Sequence, residues 1–323
     1  MRINGVTFAA RKVRRAKYII VPVIVLLFIL MVTTVILSVY KSWGLLHPDK
    51  KPIDAFSSNI VPEYRDITFR GTDSTILLKG WLFEAKRSDK AVILVHSYGN
   101  NRLEFGVETV DMIKEFLNNG YNVLTFDLRN SGESGGKDCT LGYNEKEDVK
   151  AAIKYIRNQG SKHITLIGFS TGASASILAA AESTSASGSA LVDAVIADSP
   201  YSDLKTYLNS DLDKWTGLPS FPFNRTTALA INVAGGIRAE EASPVNAITA
   251  ENTPHLMLIH SRNDEFIPII NSIELYQKYS GLNPSGAEFW QTEDDGHAIA
   301  YMNDKEEYME RIFEFLEKVY PEN

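Results

Sequence analysis

His163-Ile164-Thr165-Leu166-Ile167-Gly168-Phe169-Ser170-Thr171-Gly172 passes directly from an apolar strand, His163–Ile167, into a helix expected over Thr171–Ala181. Its last five residues match G-x-S-x-G. A strand that turns this abruptly into a helix forces the central residue into a strained backbone conformation, and the flanking glycines avoid clashes with neighbouring chain. The Ser170 hydroxyl is thereby held above the sheet edge. The N–H of Thr171, at a helix start, faces any negative charge that develops there. Glycine and serine are common in loops, so the pattern alone says little. Its weight comes from lying between a strand and a helix.

Outward from this stretch, short apolar strands alternate with amphipathic helices. Strands are expected at Ala91–Val95, Tyr121–Phe126, Ala194–Ala197, Leu256–Ile259 and Glu288–Gln291. Helices are expected up to Asn118-Asn119-Gly120, over Asn144–Gln159, from about Pro268 to Tyr279, and from about Asp304 to Val319. This alternation means βαβ crossovers, an α/β class and a mainly parallel sheet with helices on both faces. Before it, Arg65–Arg70 and Thr75–Ala85 flank Gly71-Thr72-Asp73-Ser74 and read as an antiparallel hairpin. One segment breaks the alternation. Residues 201 to about 242 lean helical and carry Trp215, Phe221 and Phe223. Between two strands expected to be neighbours, so long an excursion is an inserted cap or a loose loop, and its apolar content favours the cap. Ser183–Ser189 reads as a flexible loop.

A serine nucleophile needs a base. Of the six histidines, His47 lies in a linker, His163 and His255 open strands, and His260 closes one. His297 stands in Asp294-Asp295-Gly296-His297-Ala298, a turn at the carboxyl end of a strand, where open α/β sheets place their chemistry. A solvated loop histidine is the bland alternative. The carboxylate that orients the base is read as Asp264, in the loop after Leu256–Ile259, with Glu265 as its rival and ordinary helix capping as the plain reading. The order Ser170, Asp264, His297 is the one that accompanies such a serine turn. A second oxyanion donor is expected in His96-Ser97-Tyr98-Gly99-Asn100, at the Tyr98 N–H beside that of Thr171. The glycine-rich run after Phe126 lacks the G-K-[ST] ending of a phosphate cradle, so it is read as structural, with Asp127 and Arg129 pairing to brace it.

The 323 residues carry a formal net charge of -7 and one cysteine, Cys139. That balance argues against a nucleic-acid-binding face. The one dense basic run, Arg11 to Lys17, directly precedes Tyr18–Tyr40, which is free of charge and, at about 35 Å as a helix, long enough to cross a bilayer. Pro22 sits near its start, where a missing N–H matters least. A cleaved signal peptide would have a shorter apolar run and a small-residue cleavage site, neither of which is seen. The expected organisation is a cytoplasmic basic segment (1–17), a transmembrane helix (18–40), a linker (41–62) and a catalytic domain outside the cytoplasm (63–323) with the cap inserted. Lys41, Lys50 and Lys51 weaken that charge asymmetry without reversing it.

From about Tyr64 to Tyr320 the chain resembles the α/β-hydrolase superfamily, most nearly the bacterial membrane-anchored or secreted branch near serine aminopeptidase and monoacylglycerol-lipase-like members. The marks are Val95–Asn100, Asp127–Ser134, Gly168–Gly172, Ala197-Asp198-Ser199-Pro200, Ser261–Asp264 and Gly296-His297. The resemblance implies an eight-stranded sheet, a cap between its sixth and seventh strands, no cofactor or metal, and the catalytic roles assigned above. Ser97 departs from it, since glycine usually follows that histidine; a side chain there could tighten the acyl pocket or alter the loop path. The expected activity is cleavage of a carboxylic ester, thioester or amide in a small, acyl-lipid-like or peptide substrate. The alternative is a catalytically silent surface module on the same fold. Serine rather than aspartate at the turn argues against haloalkane chemistry.

Overall fold

The computed structural model describes residues 4–55, 59–72, 75–185, 188–249, 254–293 and 296–321, with side chains from Tyr18 onward. Eight strands form one sheet: β1 (Arg65–Arg70), β2 (Leu77–Phe83), β3 (Lys90–Val95), β4 (Asn122–Phe126), β5 (His163–Phe169), β6 (Ala194–Asp198), β7 (His255–Ser261) and β8 (Ala287–Thr292). Their spatial order is β1-β2-β4-β3-β5-β6-β7-β8. β1 and β2 pair antiparallel, as does β2 with β4, and every later pair is parallel. Asp73 and Ser74 of the expected hairpin turn lie outside the described residues. The register sets one row of paired residues across the sheet: Phe126, Val95, Gly168, Ala197, Leu258 and Phe289. Just beyond that row lie the segments that carry Asp127, His96, Ser170, Asp198 and Asp264. The sheet thus delivers its polar residues to one rim.

The helices are α1 (Asn4–Leu46), α2 (Glu108–Asn118), α3 (Glu145–Asn158), α4 (Thr171–Glu182), α5 (Leu204–Ser210), α6 (Asp213–Thr216), α7 (Ser220–Gly235), α8 (Pro244–Ala247), α9 (Ile270–Ser280), α10 (Ala300–Asn303) and α11 (Lys305–Val319). Alternate residues of the central strands face opposite layers. Ala91, Ile93, Ile164 and Leu166 pack with α3, α4 and α9, while Val92, Leu94, Ile167 and Ile196 pack with α2, α10 and α11. Each large apolar side chain buried in these layers contributes roughly 1.5–3 kcal/mol. α4 is buried from Thr171 to Ala181, and its run of Ala, Gly and Ser lets it lie close against the sheet. β5 is two residues longer than expected because Gly168 and Phe169 pair with Ala197 and Asp198.

α5, α6 and α7 fill the insertion between the neighbouring strands β6 and β7 and enclose a third apolar cluster with Tyr201, Leu208, Ile231 and Ile237. α1 is the one helix among the described residues long and apolar enough to cross a membrane. It does not stop at Tyr40. Its final turns continue to Leu46, with Ser38, Ser42 and Leu46 buried at intervals of four, and the Ser38 and Thr226 hydroxyls lie 2.7 Å apart. Nor do the residues after it form a free spacer. The Cys139 N–H donates to the Leu46 carbonyl at 2.7 Å, Asn101 Nδ2 donates to the Pro52 carbonyl at 3.0 Å, and Ile53 packs against the core.

The bracing of the glycine-rich loop also differs from expectation. Asp127 does not pair with Arg129. Arg102 reaches Asp127 Oδ2 at 2.6 Å, while Arg129 binds Asp148 Oδ1 at 2.7 Å. The remaining lone pairs of Asp127 accept the N–H groups of Arg102 at 2.7 Å and Glu133 at 2.8 Å. Gly132, at φ 43, is required here, because a Cβ would fall 2.3 Å from Asp127 Oδ2. Both Arg102 and Asp127 are buried. Arg102→Met should therefore destabilise the chain by about 3–5 kcal/mol, since it strands a carboxylate in the interior. Urea unfolding of the full chain in detergent checks this, and a loss below about 1 kcal/mol would refute it.

Candidate active site

Ser170 follows the last paired residue of β5 and adopts φ 55, ψ -122. Its N–H donates to the Asp198 carbonyl at 2.8 Å, so β6 holds the turn in place. The flanking glycines are sterically enforced: a Cβ on Gly168 would meet Ala173 Cα at 2.6 Å, and one on Gly172 would meet the His96 carbonyl oxygen at 2.3 Å. The second contact also shows how close the start of α4 lies to the loop after β3.

Ser170 Oγ lies 2.6 Å from His297 Nε2, and His297 Nδ1 lies 2.7 Å from Asp264 Oδ2. With Nδ1–H donating to the carboxylate, Nε2 is left to accept the Ser170 hydroxyl proton. Asp264 Oδ1 accepts the N–H groups of Phe266 and Ile267, both at 2.9 Å. Burial opposes its ionisation, but hydrogen bonds from His260 and His297 prevail and hold the carboxyl well below the usual range. Glu265, the rival carboxylate, is exposed. Asp294 and Asp295, in the turn that carries His297, lie outside the described residues.

Among the described residues, no acceptor lies against the N–H of Tyr98 or of Thr171. The Ser97 hydroxyl turns away to donate to Glu104 Oε1 at 2.7 Å, and the Ser97 N–H donates to Oε2 at 2.7 Å. Ser97 thus pins the loop. Gly99 takes φ 70, and the Tyr98 hydroxyl donates to the Leu45 carbonyl at 2.8 Å. The cap supplies Trp215, which stands edge-on to His297, Tyr98 and Phe266 with ring centroids at 6.4, 5.4 and 5.4 Å. An opening of about 550 Å³ lined by Asn263, Glu265, Phe266, Gly296 and His297 leads to the imidazole. No group of His, Cys, Asp or Glu side chains among the described residues could hold a metal ion.

Several residues beneath the site escaped the sequence reading. His260 is fully buried, with Nδ1 2.7 Å from Ser272 Oγ, and Nε2 2.8 Å from the Ile267 carbonyl and 3.3 Å from Asp264 Oδ2. Nε2–H as donor and Nδ1 as acceptor satisfies the ring in its neutral form. Asp198, at the end of β6, accepts the Ser199 hydroxyl at 2.9 Å and lies 3.3 Å from the Tyr308 hydroxyl. Ser199 Oγ in turn accepts the Ala298 N–H at 3.2 Å and so steadies the residue after His297. A polar residue closing an apolar strand was the available signal, but it does not separate a support from a simple terminus.

Burial raises the Asp198 carboxyl to about 6, against the opposing Ser199 hydrogen bond and the nearby His260 and His297. A carboxyl whose folded value lies above its unfolded one contributes stability that is present below about 4 and lost as pH rises through about 6. Asp198→Asn removes this titration. Its melting temperature should accordingly rise relative to the unsubstituted chain between about pH 4 and pH 6 and level off above, as thermal denaturation would show. A difference that stays flat over that interval would rule the assignment out.

Comparison with known proteins places this geometry in context. A family model described as BD-FAE matches residues 83–279. The uncharacterized protein YqkD of Bacillus subtilis is 30% identical over 245 residues, covering 75% of this chain and 76% of that protein. The esterase PF2001 of Pyrococcus furiosus superposes with a TM-score of 0.68 at 28% identity, covering 85% of this chain and 98% of the esterase. The acylaminoacyl peptidase of Pyrococcus horikoshii shares the fold, with a TM-score of 0.57 at 21% identity over 81% of this chain and 42% of the peptidase. The chain belongs to the BD-FAE family, within the α/β-hydrolase superfamily.

Proposed function

We propose that this α/β hydrolase is a serine hydrolase that cleaves a carboxylic ester, thioester or amide through an acyl-enzyme. The observation that carries the reading is the unbroken hydrogen-bonded chain from Ser170 Oγ through His297 to Asp264. Ser170 Oγ attacks the carbonyl carbon as its proton passes to His297 Nε2, and Asp264 steadies the resulting imidazolium. The N–H groups of Tyr98 and Thr171 receive the oxyanion. His297 then returns the proton to the departing alcohol, thiol or amine. In the second half, water attacks the acyl carbon as its proton passes to His297, and His297 then protonates Ser170 Oγ as the Oγ–acyl bond breaks and the carboxylic acid departs.

Similarity to the Pyrococcus furiosus esterase supports an ester as the first class of substrate to test. The aromatic cap supports an apolar acyl group, small or lipid-like. We read α1 as a membrane span, with residues 1–17 cytoplasmic and the catalytic domain on the outer side, in keeping with the basic run before the apolar stretch.

A fluorophosphonate probe should label the full chain and fail to label Ser170→Ala. Equal labelling of both would remove Ser170 from its role. Ser170→Ala and His297→Ala should each lower kcat/KM by about four to six orders of magnitude, and Asp264→Asn by about three to four. Rates on p-nitrophenyl esters of increasing chain length should peak at an apolar acyl group. A flat profile, or turnover of acylated peptides alone, would overturn the ester preference.

A further inference from the structure

The cap does not merely adjoin α1; it runs alongside it in parallel. Ser38 meets Thr226, an offset of 188 residues. Two helical turns later Leu46 meets Gly235, at the same offset to within one residue. A constant offset means that the two helices climb together, so each position of α7 has a counterpart height on α1. Phe221 has a non-helical backbone, so the counterpart heights begin at Pro222, the residue after it, level with residue 34. That height is six residues, about 9 Å of helix, inside the end of the apolar run at Tyr40. The outward face of α7 carries Phe221, Leu229 and Val233, which are 86%, 64% and 75% exposed. Polarity then changes along the axis: past Gly236 come the exposed Arg238, paired with Glu241 at 2.8 Å, and the exposed Glu240.

We propose that the cap helix α7 is seated in the lipid bilayer crossed by α1, with Phe221 inserted among the acyl chains and the Arg238–Glu241 end in water. The inference rests on reading α1 as a membrane span. An apolar stripe this exposed needs a covering phase, and the parallel register places its deep end at hydrocarbon height. Arg225 lies in the same stripe, level with residue 37. The seated cap requires the Arg225 guanidinium to reach headgroup phosphates at the end of its long aliphatic stem, as such cationic side chains do near an interface. Trp215, which faces His297, belongs to the same cap. The reaction site thus stands at the membrane surface, open to amphiphiles of that leaflet.

Spin labels placed singly at residues 28, 221 and 240 of the full chain test this in vesicles of phosphatidylethanolamine and phosphatidylglycerol, with the buried Cys139 replaced by alanine. Power saturation then compares collision with oxygen, which concentrates in lipid, against collision with a water-soluble nickel chelate. The expected result is a several-fold higher oxygen-to-nickel ratio at Phe221→Cys than at Glu240→Cys, approaching that at Phe28→Cys. A lipid-like ratio at 28 with a water-like ratio at 221 would overturn the seated cap and leave the span intact. A water-like ratio at 28 would overturn both. Protection of 221 from both agents with spin–spin broadening would show a second copy covering the face, and would equally overturn the proposal.

Discussion

The Ser170 N–H donates to the Asp198 carbonyl at 2.8 Å, continuing the β5–β6 ladder one residue past the strand and into a left-handed backbone conformation. An L-residue seldom rests there unless its surroundings over-determine it. Here they do: β6 holds the amide, and the close approaches at Gly168 and Gly172 leave no room for another path. The strained turn keeps the hydroxyl on the rim where His297 arrives from the far end of the domain. That bond fixes the serine end of the polar chain, as the N–H groups of Phe266 and Ile267 fix its carboxylate end.

The support extends below the polar chain. Asp198 and Ser199 hold the backbone just after His297, and His260 holds the carboxylate that faces His297. Two buried carboxyls thus lie close together in different states of strain. Asp264 is surrounded by donors and stays ionised, whereas Asp198 is shielded from water with fewer donors and resists ionisation. The contrast follows from neighbours rather than from depth, since both residues are buried.

Much of this could be read from the chain because its signals are local. A strand meeting a helix at a glycine-flanked serine, and acidic and imidazole groups after later strands, are patterns of a few residues each. What escaped was partner choice. Asp127 and Arg129 lie two residues apart in one loop and invite pairing, yet each binds a residue about twenty positions away, because the turn points them to opposite sides. Lys41 and Ser42 look like the end of a membrane helix, but the cap covers that face and the helix continues to Leu46. The segment after it has the proline-rich look of a spacer, and only the folded domain reveals that its carbonyls are taken. Contacts across hundreds of residues leave no trace in a short window.

The bond from the Tyr98 hydroxyl to the Leu45 carbonyl, with Leu46 buried against the cap, makes the hydrophobic leader part of the enzyme's architecture. A version trimmed to begin after Leu46 would open a hole beside Gly235 and free the Tyr98 ring that stands edge-on to Trp215. The seam between α1 and the cap belongs to the fold as much as the sheet does.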